Sequence, residues 1–115
     1  MSFSRGDVVL VLFPDSNLLT AKRRPALVVQ ADGLETGIPQ IILAMISSNP
    51  ARKGHPSRAT VSLDTPEGER SGLRIDSVIM TDNLATVLER EIDKSIGRWT
   101  DWSALDAALR HTLGL

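Results

Sequence analysis

The chain has 115 residues, 42% of them hydrophobic and 23% charged, with no cysteine. That is the composition of one globular domain over residues 1–115, and it excludes disulfides, thiolate metal sites and a cysteine nucleophile. Thirteen Lys and Arg against fourteen Asp and Glu give a net charge of −1, and the aromatic residues are Phe3, Phe13, Trp99 and Trp102 alone, which excludes a uniformly basic nucleic-acid binder and a sheet that reads bases by serial stacking.

The net charge hides an asymmetry, because residues 1–60 carry seven basic and four acidic side chains while residues 61–115 carry six and ten. Residues Met1 to Asp7 lack the basic segment, apolar core and cleavage site of a signal peptide, and no apolar run approaches the roughly 18 residues of a membrane span. A cytoplasmic protein with no membrane partner is expected.

In chain order, Val8-Val9-Leu10-Val11-Leu12-Phe13 is an apolar run stopped by Pro14, which predicts a buried strand. A polar loop from Asp15 through Arg24 follows, and Pro25 opens a second strand, Ala26 to Gln30. Turn residues at Asp32-Gly33, Gly37 and Pro39 precede a third strand, Ile41 to Ile46, ending in Ser47-Ser48-Asn49-Pro50. Residues 51–58 read as a basic exposed loop. Short strands are predicted at Ala59–Leu63 and Leu73–Met80, separated by a polar turn over Asp64–Gly72, and again near Thr86–Leu88 and over Ile92–Arg98. From Thr100 the period changes: Trp102, Leu105, Leu109 and Leu113 share a helical face, with Thr100 or Asp101 as N-cap and Gly114 as terminator. The fold class is mostly β (α+β), a small, strongly bent sheet or barrel closed by one helix.

Lys22-Arg23-Arg24 places three cations directly before a buried strand. Arg24 is the least free of them, because Pro25 restricts its backbone, and a fixed guanidinium presents a planar fork to a phosphate. The plain alternative is a solvated charge run. Ser47 closes the third strand, where a rigid element opens into a loop, although serine is also ordinary turn chemistry there. Asp82, and Asp76 before it, are carboxylates able to accept a proton, while Asp82-Asn83 also suits an Asx turn. His55 lies in the basic loop and His111 suits the negative end of the helix, which leaves a two-imidazole mechanism without support. Gly-rich phosphate loops, paired metal-ligand histidines and a nucleophile elbow are absent from the sequence.

Taken in order, Arg5-Gly6-Asp7-Val8-Val9-Leu10-Val11, Lys22-Arg23-Arg24-Pro25-Ala26-Leu27-Val28-Val29, Ile46-Ser47-Ser48 and Ser71-Gly72-Leu73-Arg74-Ile75-Asp76-Ser77-Val78 resemble the MazF/PemK toxin family. Ile96-Gly97-Arg98 ahead of the closing helix, and Leu113-Gly114-Leu115, are similar to that family too. The resemblance implies a small SH3-like barrel of the CcdB/Kid/MazF type with a C-terminal helix, acting as a homodimer. It also implies the toxin of a type II toxin–antitoxin system: an endoribonuclease, independent of metal or other cofactor, that cuts single-stranded RNA and is held inactive by a cognate antitoxin.

Carried over residue by residue, the cleavage site falls on Arg24 and Ser47, and Asp82 aligns with an Asp implicated in some relatives. Lys22, Arg23, Arg52, Lys53, Arg58 and Arg74 are the expected RNA-binding cations, and the same cluster would attract an acidic, disordered antitoxin segment. Two departures stand out: Met80 replaces an Arg found in some members, and Asn17-Leu18-Leu19-Thr20 replaces an acidic-Gln-x-Gly segment. Arg74 or Arg23 is expected to supply the missing cation. Two other readings share this fold, a CcdB-like gyrase poison without hydrolytic activity and a non-catalytic module that only binds antitoxin.

Overall fold

A strand that is apolar at consecutive positions can be buried only if both of its faces are covered. In the computed structural model, which describes residues 3–115, β1 (Asp7–Pro14) meets that condition only at its start: beyond Val8 the second face opens, leaving Leu10 half-buried and Leu12 exposed where a buried strand was expected. Val8 enters one hydrophobic cluster with Leu27, Ala44, Ile46, Ile79, Trp99 and Leu105, while Val9, Val11 and Phe13 enter another with Ala26, Val28, Leu43 and Ile92. The clusters are built by six antiparallel strands: β1, β2 (Ala21–Val28), β3 (Gln40–Ser47), β4 (Arg58–Val61), β5 (Ser77–Leu88) and β6 (Ile92–Arg98). Their order in the sheet is β4-β5-β3-β2-β1-β6.

Three features differ from the sequence expectation. β2 begins at Ala21, so Lys22, Arg23 and Arg24 belong to the strand, paired with Phe13, Leu12 and Val11 of β1. The β1–β2 hairpin extends past Pro25 because β1 offers its full length as a partner. On the other side the ladder to β3 stops at Ala26, next to the proline that has no N–H to continue it. The two strands expected over 73–80 and 86–88 are one, β5, but it begins only at Ser77, so residues 73–76 are not strand. Its register against β3 jumps from Ala44–Leu84 to Met45–Met80, so Thr81, Asp82 and Asn83 bulge out and the long strand bends. Finally, the turn after β4 contains a short helix, α1 (Pro66–Arg70), capped by the Thr65 hydroxyl, which accepts the Gly68 N–H, with proline at the start of its first turn.

The terminal helix, α2 (Trp102–Leu113), forms where the change of period places it. Asp101 caps it by accepting the Ala104 N–H, and Gly114 ends it in the left-handed conformation at φ 72°. Leu105 and Ala108 are buried and Trp102 and Leu109 pack against the first cluster, whereas Leu113, expected on that face, is exposed. Among the described residues no helix is long and apolar enough to cross a membrane.

Two backbone devices shape the ground beside the sheet. β6 carries two register shifts against β1, where Ile96 and Asp93 are the extra residues; such bulges re-aim the side chains around them. At Gly72 (φ 73°) and Gly97, chain segments approach so closely that a Cβ on Gly72 would strike the Ile96 carbonyl and one on Gly97 would strike Ser71. These glycines seat the segment after α1 directly on β6.

Candidate functional site

The segments just described enclose a cleft of about 1120 Å³. β2 contributes Arg23 and Arg24, the end of β3 contributes Ser47, the following turn contributes Arg52, the glycine-seated segment contributes Arg74, and the bulged part of β6 contributes Lys94. Five cations thus line the cleft and no described carboxylate does. A smaller depression of about 230 Å³ adjoins it across Ser48, Asn49 and Ile75 and holds Lys53. Asp76, which accepts the Leu63 N–H at 2.8 Å, lies in that depression and outside the cleft proper; a cleft lined by cations without a carboxylate of its own suits a polyanion.

Arg24 and Ser47 come together through register. Each lies two residues beyond Ala26–Met45, the last pair of the β2–β3 ladder, on the same side of it. The Ser47 Oγ accepts the Asn49 N–H at 3.1 Å, which leaves its own proton free to donate. Asn49 in turn caps the 3₁₀ turn at Pro50–Arg52 by accepting the Ala51 N–H at 3.0 Å, fixing the approach of Arg52. Arg24 donates from Nη2 to Asp15 Oδ1 at 3.4 Å, from outside the cleft, and Arg23 is likewise paired with Asp93. Among the described residues Arg52, Arg74 and Lys94 have no ion-pair partner.

Asp82 is placed elsewhere. Arg58 grips it with two donors, Nε to Oδ1 at 3.3 Å and Nη2 to Oδ2 at 2.8 Å, and also donates from Nη1 to the Arg52 carbonyl at 3.2 Å. The pair therefore ties the turn carrying Arg52 to β5. The Arg58 guanidinium holds the Asp82 carboxyl below its ordinary value against the opposing effect of burial, and the carboxylate in turn raises that of Arg58. Neither residue lines the cleft, and Lys22 lies outside it as well. Of the nine candidates, Arg23, Arg24, Ser47, Arg52 and Arg74 share the cleft, and Lys53 borders it.

Met80 is buried between its strand partners Met45 and Arg58, so the departure at that position costs the cleft no side chain it displays. Lys94 was missed by sequence reasoning: one lysine in a strand carries no signal, and the bulges that bring it to the cleft appear only once β6 is paired with β1. Among the described residues no cluster of three or more His, Asp or Glu side chains could hold a metal ion.

The family model of the PemK-like, MazF-like toxin of type II toxin–antitoxin systems matches residues 4–113. No curated protein matches the chain. Among solved structures, the chain is similar to an endoribonuclease in complex with its cognate antitoxin from a mycobacterial species, at TM-score 0.74 and 18% identity, covering 99% of this chain and 97% of that one. It is similar to the Mycobacterium tuberculosis toxin MazF-mt6 at TM-score 0.73 and 19% identity, covering 95% and 97%. It is also similar to MazE–MazF from Deinococcus radiodurans at TM-score 0.70 and 17% identity, covering 100% and 98%. At these identities the likeness is one of fold, and it extends to the six-stranded antiparallel sheet with its C-terminal helix.

Proposed function

The chain belongs to the PemK-like, MazF-like toxins of type II toxin–antitoxin systems, and from that premise we propose that it is a metal-independent endoribonuclease acting on single-stranded RNA. One observation carries the reading: a guanidinium and a free hydroxyl proton stand just past the end of the β2–β3 ladder, in a cleft lined by five cations. Support also comes from the fold-level likeness to an endoribonuclease bound to its antitoxin.

The reaction this arrangement suits is attack by a ribose 2′-hydroxyl on the adjacent phosphorus. The 2′-hydroxyl gives up its proton as its oxygen bonds to phosphorus, the bond to the 5′-oxygen of the next nucleotide breaks, and that oxygen takes up a proton, leaving a 2′,3′-cyclic phosphate and a free 5′-hydroxyl. The nucleophile belongs to the substrate, so the protein supplies orientation and stabilisation of charge on the pentacoordinate phosphate. Arg24 offers the fork for the non-bridging oxygens, and Ser47 donates a further hydrogen bond. Arg23, Arg52, Arg74 and Lys94 hold flanking phosphates. Asp82 is assigned a supporting role, since a carboxylate held low by Arg58 is poorly matched to proton transfer near neutral pH.

The same cationic cleft fits an acidic, disordered segment of an antitoxin, which would compete with RNA for it. A homodimer is the expected assembly. Folded protein incubated in parallel with single-stranded RNA and with DNA gyrase separates the readings. RNA cutting with gyrase unaffected is expected, whereas intact RNA with gyrase inhibited, or silence in both while an acidic peptide still binds, would overturn the proposal.

A further inference from the structure

The β1–β2 loop is more elaborate than a hairpin connection requires. The Asp15 N–H donates to the Thr20 carbonyl at 2.8 Å, and the Leu18 N–H donates to the Asp15 carbonyl at 2.9 Å. Asn17 Oδ1 accepts the N–H groups of Leu19 at 2.9 Å and Thr20 at 3.3 Å. Closing this ring forces Leu18 to φ 60°, a left-handed backbone that leucine rarely adopts. The side chains of Leu18 and Leu19 point into solvent, so apolar burial does not explain the ring.

What the ring fixes is the Asp15 carboxylate. Its Oδ2 accepts the Thr20 hydroxyl at 2.7 Å, and its Oδ1 is turned to Arg24 Nη2. The Asp15 side chain is only 19% exposed although it lies in a loop. The Thr20 hydroxyl first, then Arg24 and Lys22, hold its carboxyl below the ordinary value against the effect of burial. The carboxylate is the one side-chain partner of Arg24 among the described residues, and it occupies a single amino group. The remaining guanidinium donors are left for a substrate.

We infer that Asp15 is a positioning residue, which holds the Arg24 guanidinium in the orientation the cleavage step requires. This deepens the ribonuclease reading and rests on it. The contact has two opposed effects. An anchored guanidinium meets the transition state without losing freedom at that moment, while a negative charge beside it weakens ground-state attraction for the phosphate. Removing the charge therefore slows the chemical step without weakening binding, a split that loss of structure would not produce.

The test compares Asp15→Asn, Thr20→Val, Arg24→Ala and the Asp15→Asn/Arg24→Ala double variant. Single-turnover cleavage of RNA is measured beside affinity for the same sequence with 2′-O-methyl groups. Asp15→Asn is expected to slow cleavage by about tenfold to a hundredfold, with affinity for the uncleavable strand equal or tighter. Thr20→Val should show a smaller loss in the same direction, and Asp15→Asn should add nothing once Arg24 is absent. An undiminished rate, a loss confined to affinity, or losses that multiply in the double variant would overturn the assignment. Wild-type protein that leaves RNA intact would instead overturn the ribonuclease reading. The positioning contact is then read directly from the Arg24 Nε–H resonance, identified by its loss in Arg24→Ala. A shift or broadening in Asp15→Asn is expected, and an unchanged signal overturns the inference whether or not RNA is cut.

Discussion

Arg24 and Ser47 each stand two residues beyond the Ala26–Met45 pair, so the antiparallel register of β2 and β3 brings a guanidinium and a hydroxyl to one end of the cleft. The hydroxyl oxygen accepts the Asn49 N–H, and its own proton is free to donate. Neither side chain is placed by a loop of its own. Both backbones are placed by the sheet, a more precise support than a loop, and the β1–β2 loop adds the Asp15 contact to the Arg24 guanidinium.

Ser47→Ala removes one donor and leaves the strand intact. The expected loss is up to about 2.7–4 kcal/mol of barrier, the range for one such hydrogen bond. Ser47→Thr keeps the hydroxyl and is expected to retain most of the activity. Single-turnover rates at saturating RNA check both.

Lys94 binds substrate without touching the reacting phosphate in this account. Lys94→Ala is expected to weaken affinity for single-stranded RNA and to lower the slope of log affinity against log salt by about 0.7, the value for one cation on a single strand. The rate at saturating RNA should change little. Titrations of the 2′-O-methyl strand across a range of salt concentrations measure the slope.

The Arg58–Asp82 pair is expected to show in stability and to depend on pH. The folded carboxyl titrates below its unfolded value because Arg58 favours the charged form. Its contribution is therefore complete above about pH 4, the usual unfolded range, and is lost as pH falls through the lower folded value. Asp82→Asn should melt below wild type at pH 7, with the difference shrinking in acid. Cleavage at neutral pH should stay within a few-fold of wild type for a folded variant.

Gly72→Ala and Gly54→Ala separate close approach from backbone conformation. Both glycines have positive φ, 73° and 84°, but only at Gly72 would a Cβ meet other atoms. Gly54→Ala is expected to cost about 1–2 kcal/mol for its left-handed backbone alone. Gly72→Ala should lower Tm further and, by lifting the segment that carries Arg74 away from β6, reduce RNA affinity as well.

Much of this was readable from the chain because local signals agreed. β1, β3 and β6 appear as apolar or bounded runs, and α2 announces itself by period, an Asp cap and a terminal glycine. What the sequence left dark depends on partners distant in the chain. β2 starts four residues before Pro25 because β1 is there to pair with it, and β5 hides a bulge at Thr81–Asn83 that only the register against β3 reveals. The site divides in the same way. Arg24 and Ser47 could be picked out from a restricted backbone, a strand end and a family resemblance, whereas Lys94 needed the β6 bulges to reach the cleft. Charge runs named Lys22 and Arg58 alongside Arg23 and Arg52, since sequence does not say which way exposed cations face. α1 had a legible signal in Thr65-Pro66-Glu67, a cap followed by proline and an acid, that a polar turn obscured.

In the proposed reaction Arg24 stabilises a phosphate attacked by the adjacent 2′-hydroxyl. The measurement that tests it most directly is end-group mapping of a defined single-stranded RNA after incubation in EDTA, with wild-type protein and folded Arg24→Ala side by side. Site-specific fragments with 2′,3′-cyclic phosphate and 5′-hydroxyl ends are expected, formed on the order of a hundredfold or more slowly by the variant. Fragments bearing 5′-phosphate, or equal rates for the two proteins, would contradict it.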